Sequence, residues 1–339
     1  MNSSPVTEPP ENNPVIALPA ACEPGARLDV SDAARAREFV ASALRDTGWR
    51  PVPVDITAPL LSSFEGTAAL LASTGADCVF NLFEGFGEDS EAECAFRAIV
   101  EDMGIPCTGN PSSVLEICLS KDRCSRMLRS SGIPVPEGVF LRAGEDRSEV
   151  YRMRRPLFIK PAAEDASVGI DGSSLVTDGD DVDAILSEKL ARFPRGVVVE
   201  RFLSGKEYSV ACLGNGPYEI LGVSVIDFHL WGPGLPYLDY RSKWDSGCSR
   251  YAMTPQRAEG PAAGRAARLA AAAGQALGCR GYFRVDLRED GEELFVLDVN
   301  PNPDMTPDGG FMRQCREKGL PGREAVSRIV QLAMEERRM

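Results

Sequence analysis

The chain has 339 residues, of which 43% are hydrophobic and 26% are charged, a composition typical of a globular protein with two or three domains. Its formal net charge of −13 at pH 7 argues against nonspecific binding to nucleic acid or to an anionic membrane, because both are polyanions that attract basic patches. We therefore expect no nucleic acid and no membrane among its partners.

The N-terminal part of the sequence predicts an α/β domain. Residues 1–14 are rich in Pro, Ser, Asn and Glu and predict a disordered tail. Beyond them strand and helix patterns alternate, and the predicted elements are a strand at 15–18, a helix at 32–47, strands at 51–56 and 78–82, and a helix at 91–103. This alternation indicates a parallel sheet with helices on both faces, in a domain that we assign to residues 15–115.

A second unit, residues 116–205, contains a pattern that suits phosphate binding. Its predicted elements are a helix at 121–131, a strand at 157–161, a helix at 180–192 and a strand at 196–200. Lys160 lies near the end of the first strand and precedes a loop of small residues at 165–174. Such a loop can fold over phosphates and offer backbone N–H groups, while the lysine supplies a point charge. Loops with two glycines are common, so this pattern alone is not specific.

The third unit, residues 206–339, combines strands with a long irregular loop. Its predicted elements are strands at 207–213 and 220–228, the loop at 231–255, an alanine-rich helix at 258–277 and a C-terminal hairpin. The loop carries several aromatic residues and glycines that can act as hinges. We therefore expect it to be mobile without a ligand and to close over a bound one.

The hairpin is predicted to bring two carboxylates to one face. Its elements are apolar strands at 282–287 and 294–299 and a five-residue turn at 289–293. Because side chains alternate along a strand, Asp286 and Asp298 share a face only if the turn contains an odd number of residues. A five-residue turn places Arg284 opposite Asp298 and sets Asp286 diagonally beside it.

This polar face has the ligand set of a metal site. Asp286, Asp298 and Asn300 offer the oxygen ligands that Mg²⁺ prefers, and substrate phosphates can complete the shell. The alternative is an ordinary solvated hairpin face. The residues between the polar ones are apolar, which favours a hairpin with one packed face and one oxygen-rich face.

Two glutamates flank the end of a strand in the middle of the chain. Glu200 ends the strand at 196–200, and Glu207 follows after a short turn. Their carboxylates would suit an adenine amine and ribose hydroxyls. Surface glutamates at a strand end are the alternative interpretation.

The cysteines and the single histidine do not form a recognisable site. Ten cysteines are scattered without a Cys-x-x-Cys pair, so neither a zinc site nor a Cys–His nucleophile has its usual spacing. We interpret the thiols as small buried hydrophobes in a reducing cytosol, which predicts a cytoplasmic protein. His229 lies in an apolar, strand-like run at 220–231 and is interpreted as structural.

Several short segments occur in a fixed order that is typical of one enzyme superfamily. They are Gly87-Glu88-Asp89, Ser120-Lys121-Asp122, Ile159-Lys160-Pro161, Ser167-Val168-Gly169, Val199-Glu200-Arg201-Phe202, Gly205-Lys206-Glu207, Arg284-Val285-Asp286 and Asn300-Pro301. On these segments the chain resembles the ATP-grasp enzymes, and within them the D-alanine–D-alanine ligase family, from about Val15 to Leu320. The resemblance implies an α/β (α+β), three-domain ATP-grasp fold whose N-terminal domain is the parallel-sheet preATP-grasp domain. The two later units are then the central and C-terminal ATP-grasp subdomains.

The resemblance also implies the cofactors and their ligands. ATP would lie between the second and third domains, with two Mg²⁺ ions held by Asp286, Asp298 and Asn300. The implied nucleotide-binding residues are Lys121, Lys160, Ser167, Glu200, Phe202, Leu203, Glu207 and Lys243. Of these, Lys121 and Lys160 would hold phosphates, Glu200 the adenine amine and Glu207 the ribose. Lys243 would reach the γ-phosphate, and it is a catalytic residue together with Arg284, which would face the reacting carbonyl.

The chain differs from the family at positions that bind the substrates. The family's usual second acidic ligand, a glutamate, is Asp298. The serine that grips the second substrate's carboxylate aligns with Gly309, and the N-terminal acid that holds the first substrate's ammonium is absent from its usual motif. The candidate substrate residues are Asp29, Glu88, Trp244, Asp304 and Gly309. Because Gly309 removes a hydroxyl and leaves room, we expect an acceptor that is bulkier than alanine or lacks a free α-carboxylate.

The function that the resemblance implies is an ATP-dependent ligase that joins a carboxylic acid to an amine through an acyl phosphate. Both substrates would be small molecules, and amino acids are the expected class. The changed substrate positions favour a dipeptide or amide ligase of specialised metabolism, with a true D-alanine–D-alanine ligase of cell-wall synthesis as the alternative. A noncatalytic nucleotide-binding protein on this fold and an ATP-grasp carboxylase or phosphoryl transferase are the remaining interpretations. The resemblance is compatible with a homodimer.

Overall fold

Three β-sheets form the framework of the chain. A computed structural model describes residues 13–22, 28–87, 89–164, 167–231, 234–244, 247–248 and 255–336, and within these ranges the side chains of 28–32, 231, 243, 244 and 336 are not described. Residues 1–12 of the predicted tail therefore lie outside the described part. In the described chain, no helix is long and apolar enough to span a bilayer.

The N-terminal sheet is parallel and covered on both faces, as the alternating pattern predicted. Its elements are β1 (Val15–Ala21), α1 (Leu28–Asp46), β2 (Arg50–Ile56), α2 (Ala58–Leu61), α3 (Phe64–Ser73), β3 (Cys78–Val79) and α4 (Glu91–Asp102), with strand order β2-β1-β3. Successive β1 side chains enter two different cores: Ile16 and Leu18 pack with α1, and Ala17 packs on the side of α3 and α4. A strand that is buried on both faces has a continuous run of apolar residues in its sequence, and β1 has such a run.

The middle of the chain forms an antiparallel sheet that carries two of the predicted site residues. Its elements are α5 (Ser112–Leu119), α6 (Lys121–Ser130), β4 (Gly138–Leu141), α7 (Ser148–Arg152), β5 (Leu157–Pro161), β6 (Leu175–Val176), α8 (Val182–Arg192) and β7 (Val197–Arg201), with strand order β4-β7-β5-β6. Phe158 on β5 pairs with Glu200 on β7, and Lys160 pairs with Val198. Two-residue spacing therefore places Lys160 and Glu200 on the same face of the sheet.

The third sheet holds the acidic hairpin. Its elements are β8 (Glu207–Leu213), β9 (Glu219–Ile226), α9 (Tyr240–Trp244), β10 (Gln256–Arg257), α10 (Gly260–Leu277), β11 (Tyr282–Asp290), β12 (Glu293–Asn300), α11 (Gly310–Glu317) and α12 (Gly322–Glu336), with strand order β10-β9-β8-β11-β12. Helix α10 buries a stripe of alanines on this sheet. A Cβ at Gly274 would lie 2.3 Å from the Phe283 ring, so glycine permits this close approach. Helix α12 returns to pack against α1.

The hairpin differs from its predicted register, although the two aspartates do meet. The predicted five-residue turn is wrong: Asp290 pairs with Glu293, which leaves a two-residue turn in which Gly291 has a φ of 63°. A β-bulge supplies the odd residue instead, because Asp286 pairs with Asp298 while Leu287 pairs with Val296. Asp286 is thus directly opposite Asp298, and Arg284 lies opposite Asn300 rather than Asp298.

The strand predicted around His229 ends before it. Strand β9 stops at Ile226, and His229 lies exposed in a 3₁₀ turn, Phe228–Trp231. Its backbone N–H donates to the Asp227 carboxylate at 3.1 Å, which caps that turn. The interpretation of the thiols as buried residues is confirmed for eight of the ten cysteines.

Candidate active site

A deep cleft runs between the antiparallel sheet of the middle unit and the hairpin face of the third sheet, and it extends to the N-terminal domain. Its volume is about 740 Å³. The described residues that line it include most of the predicted site residues, namely Lys121, Lys160, Ser167, Glu200, Phe202, Leu203, Glu207, Arg284, Asp286, Asp298, Asn300, Asp304 and Gly309. Residues that are far apart in sequence therefore share one continuous space.

Arg284 and Asp286 form the centre of the hairpin face. Arg284 donates from Nε to Asp286 Oδ1 at 3.0 Å and from Nη2 to Asp286 Oδ2 at 2.9 Å. Ser209 on the neighbouring strand also donates to Asp286, at 2.8 Å. The charge of Asp286 raises the pKa of Arg284 above its usual value, against the opposing effect of burial. This arrangement fixes the plane of the guanidinium and leaves Nη1 for a ligand.

The oxygen atoms beside this pair fit a hard cation. Asp286 and Asp298 face each other across the ladder, and Asn300 lies one pair further along, opposite Arg284. No cluster of three or more His, Cys, Asp or Glu side chains that could hold a metal occurs in the described part of the chain. Protein oxygens would therefore supply only part of a shell, which suits Mg²⁺ bound jointly with substrate phosphates. The number of ions, predicted as two, stays a prediction.

Lys160 and Glu200 form a buried ion pair. Lys160 Nζ lies 2.8 Å from Glu200 Oε2, and the two side chains are only 9% and 5% exposed. The same ammonium donates to the carbonyl of Leu297 at 3.3 Å. Leu297 is the extra residue of the β-bulge, so the bulge that aligns the two aspartates also presents a carbonyl to the lysine. Lys160 is thereby held beside the residue predicted to meet adenine, and its predicted phosphate contact stays a prediction.

We expect Lys160→Ala to lower ATP affinity by about 10- to 100-fold, because a charge-assisted contact is worth about 1.5 to 3 kcal/mol. The change also leaves the buried Glu200 carboxylate without its cation, which lowers the free energy of unfolding by about 3 to 5 kcal/mol. A double variant, Lys160→Met with Glu200→Gln, removes both charges and should recover stability without recovering ATP affinity. Titration calorimetry and thermal unfolding measure the two effects; unchanged ATP affinity in folded Lys160→Ala would contradict the assignment.

The end of the cleft predicted to bind the nucleotide is built around Phe202. Leu203 is 2% exposed beside it. Arg288, which no sequence pattern singled out, lies over the Phe202 ring at 5.0 Å and 3.3 Å from the Glu207 carboxylate. Its guanidinium also donates to the carbonyl of Pro236. Arg288 thus contacts the Phe202 ring, the predicted ribose ligand Glu207 and the backbone of the long loop at Pro236.

Two segments carry the residues predicted to bind phosphate, Lys121 and the small-residue loop that follows Lys160. Lys121 Nζ donates to the carbonyl of Glu164 at 2.5 Å, which places this lysine next to the small-residue loop. Ser167 has a φ of 63°, a left-handed backbone that is rare outside glycine and can mark a functional turn. Residues 165–166 of that loop lie outside the described chain.

The described part of the long loop packs against the aromatic residues Phe158 and Phe202 through Tyr237. Tyr237 is buried, its ring centroid is 4.9 Å from that of Phe158, and its hydroxyl donates to the carbonyl of Asp171 at 2.8 Å. The backbone N–H of Tyr240 donates to Ile170 at 3.2 Å. Lys243 and Trp244 lie in α9, but their side chains are not described, and closure of the loop on nucleotide binding stays a prediction.

The part of the cleft predicted to bind the substrates, which we call the substrate end, contains both predicted and unpredicted residues. Asp304 accepts the backbone N–H of Thr306 at 2.8 Å and also the Thr306 hydroxyl. Asp29 falls in the first turn of α1 without a described side chain, and Glu88 lies outside the described chain. Glu84 and Glu93 line this end and were not predicted. Nothing in their local sequence separates them from surface glutamates.

The room expected at Gly309 is not present. A Cβ on Gly309 would lie 2.7 Å from Asp304 Oδ2 and 2.9 Å from Thr306 Oγ1. The acidic side chain and its threonine partner therefore fill the space that a side chain at position 309 would need. A serine could be accommodated here only if Asp304 moved.

The sequence is similar to that of known ligases. A family model described as "D-ala D-ala ligase C-terminus" matches residues 127–331. A D-alanine–D-alanine ligase of Desulforudis audaxviator is 30% identical over 305 residues, covering 89% of this chain and 93% of the relative. A D-alanine–D-alanine ligase of Rhodospirillum rubrum is 31% identical over 296 residues, covering 86% of this chain and 89% of the relative.

The fold is also similar to solved structures. The crystal structure of a D-alanine–D-alanine ligase from Bacillus anthracis complexed with ATP superposes with a TM-score of 0.75 at 18% identity, covering 96% of this chain and 98% of that chain. The corresponding ligase from Coxiella burnetii gives a TM-score of 0.71 at 17% identity, covering 97% and 96%. These likenesses confirm the predicted ATP-grasp fold class.

Proposed function

The chain belongs to the D-alanine–D-alanine ligase family, and on that premise we propose that it is an ATP-dependent ligase that forms an amide bond between a carboxylic acid and an amine. The observation that carries the proposal is the hairpin face, where Arg284 is fixed by Asp286 and Asp298 lies directly opposite that aspartate. The solved structure of the Bacillus anthracis ligase complexed with ATP and the cleft support ATP as cosubstrate, with Mg²⁺ as the fitting metal.

In the first step the donor carboxylate attacks the γ-phosphorus of ATP, giving an acyl phosphate and ADP. Transfer of a phosphoryl group needs mainly positioning and neutralisation of charge. Bound Mg²⁺ supplies part of that neutralisation as a Lewis acid. Lys121, whose ammonium donates to the Glu164 carbonyl on the cleft wall, is proposed to contribute positive charge, and Lys243 is proposed to act on the γ-phosphate.

In the second step the amine attacks the carbonyl carbon of the acyl phosphate. The tetrahedral intermediate carries an oxyanion, and it collapses by expelling inorganic phosphate while the nitrogen loses a proton. Arg284 is suited to bind that oxyanion, because Asp286 already holds its Nε and Nη2 and pre-sets the direction of Nη1. A donor fixed before the reaction starts costs no reorganisation when charge develops.

The substrates are proposed at two levels. Amino acids are the class that the relatives' names support, and D-alanine is the acid and amine that those names print. Gly309 stands at the position of the family's serine and offers no hydroxyl, and on this difference we propose an acceptor other than D-alanine and a role in specialised metabolism; the relatives' names support a true D-alanine–D-alanine ligase at least as well. A cytoplasmic location and a homodimer stay predictions.

The test is a screen of paired amino acids with Mg²⁺ and ATP, read by phosphate release and by mass detection of the products. Amide product with release of ADP and phosphate supports the proposal. ATP binding without turnover for any pair would favour a noncatalytic nucleotide-binding protein. A stable phosphorylated product, or turnover that depends on bicarbonate, would favour a phosphoryl transferase or carboxylase. If kcat/KM for D-alanine alone matches that of the best pair, the protein is a true D-alanine–D-alanine ligase.

A further inference from the structure

Arg313 is a cation of the cleft wall that lacks a partner among the described side chains. It lies in α11 and lines the substrate end together with Arg284, Gly309 and Gly310. Within the described chain its Nε–H is buried without a hydrogen-bond acceptor, and Arg313 forms no ion pair there. Because Nε is enclosed by protein atoms, a ligand in the cleft can reach only the other N–H groups of the guanidinium, and an anion there would gain charge-assisted hydrogen bonds.

Glu317 is the obvious candidate partner, and it does not serve as one. It lies four residues further along the same helix, at the spacing that usually allows an ion pair. Yet Glu317 Oε2 is itself buried without a hydrogen-bond partner in the described structure. Burial lowers the pKa of Arg313, the charge of Glu317 opposes that effect, and the charges of Arg316 and Arg284 lower the pKa further. The guanidinium stays protonated, and an anion between it and Arg284 would relieve this repulsion.

The helix that carries Arg313 is fixed to the sheet by the next residue. Gln314 is fully buried, and its amide nitrogen donates to the carbonyl of Ser209 at 3.0 Å and to the hydroxyl of Ser224 at 2.9 Å. Its amide oxygen accepts the backbone N–H of Ala211 at 2.8 Å. Because both the nitrogen and the oxygen of the Gln314 amide are hydrogen-bonded to the sheet, α11 has little freedom to rotate. Arg313 is therefore presented to the cleft from a rigid support.

The space between the start of α11 and the guanidinium is open. If Gly310 carried a Cβ, the nearest atom to it outside the local backbone would be Arg313 Nη2, 3.9 Å away. Helix α11 has no side-chain cap at its start, where Gly309 is the N-cap residue. The position that aligns with the family's carboxylate-gripping serine thus offers no hydroxyl, while the Arg313 guanidinium stands one turn away.

We propose that Arg313 binds a carboxylate of the acceptor amine and so determines the acceptor class, which is an amine that carries a free carboxylate. This proposal rests on the proposed ligase function and deepens it. The sequence predicted an acceptor that is bulkier than alanine or lacks a free α-carboxylate, and the role proposed for Arg313 excludes the second alternative. Because a charge-assisted contact contributes about 1.5 to 3 kcal/mol, an acid should exceed its neutral amide by about 10- to 100-fold in kcat/KM.

The test compares acids with their carboxamides as acceptors. The probes are glycine, L-alanine, D-alanine and D-serine, each beside its own amide, with hydroxylamine as a small nucleophile that carries no carboxylate. The wild type should favour each accepted acid over its amide, and Arg313→Met should lose that preference through a raised KM for the acid. Arg313→Lys should restore part of it. Arg323→Met, at an exposed arginine of α12, is the matched control and should keep the wild-type preference.

Three outcomes separate the explanations. A wild-type preference that survives in folded Arg313→Met would overturn the role of Arg313, as would a wild type that uses amides as well as acids. The ratio of amide-bond product to hydroxamate should fall in Arg313→Met, because only the first product needs the acceptor's carboxylate. If the donor acids of the paired screen give neither an amide with any acceptor nor a hydroxamate with hydroxylamine, the proposed ligase function fails, and the inference fails with it; hydroxamate without amide from any acid overturns the inference alone.

Discussion

Asp298→Asn should lower Mg²⁺-dependent ATP turnover by about 100-fold or more, because a metal ligand supports several kcal/mol of charge stabilisation in phosphoryl transfer. The substitution preserves the size of the side chain and removes only its charge. Asp298 is half-buried and faces the cleft opposite Asp286, whereas its neighbour Val299 packs the core. The fold should therefore survive, and phosphate release under saturating Mg²⁺ and ATP is the measurement.

The matched control for this change is Glu293→Gln, which removes the same charge from the exposed turn end of the same strand. It should leave turnover near the wild-type value. Asn300→Ala should follow Asp298→Asn in direction. Phosphate release in Asp298→Asn within about threefold of wild type, a difference worth well under 1 kcal/mol, would contradict the metal assignment.

Arg284→Met should lower kcat by about 100- to 1,000-fold, the cost of removing one preorganised oxyanion donor. The side chain of Met has similar reach but no N–H groups, so the loss isolates the guanidinium. Asp286 keeps its hydrogen bond from Ser209 but loses both contacts to the arginine. Steady-state kinetics with the best substrate pair gives kcat, and calorimetry gives ATP affinity.

Two further variants sharpen the test of Arg284. Arg284→Lys keeps the charge but cannot make the two-point contact with Asp286, so it should recover only part of the activity. Arg268→Met, at an exposed position of α10, should behave as wild type. If the activity of Arg284→Met falls only because ATP affinity falls, the arginine serves nucleotide binding and not the reacting carbonyl.

Local patterns predicted much of the fold. The continuous apolar run of β1 indicated a strand buried on both faces, and the alternating helices indicated the parallel sheet. The order of short motifs then predicted which residues would line one cleft. The strands and helices follow from periodicity, a property of short stretches of sequence, whereas the cleft residues follow from the resemblance to the ligase family.

Features that depend on distant partners were not predictable. The bulge at Leu297 requires a partner for its carbonyl, and that partner, Lys160, lies 137 residues away. The return of α12 to α1 likewise depends on packing between the two ends of the chain. Arg313 and Arg316 look alike in sequence, and only the packed helix shows that Arg313 faces the cleft.

Oxygen transfer offers the most direct test of the proposed chemistry. The donor acid found in the screen is labelled with ¹⁸O in its carboxylate and incubated with ATP, Mg²⁺ and the acceptor amine. An acyl phosphate intermediate moves one carboxylate oxygen to the leaving phosphate, so each inorganic phosphate should carry one ¹⁸O atom by mass spectrometry. Amide product accompanied by unlabelled phosphate would contradict ligation through an acyl phosphate.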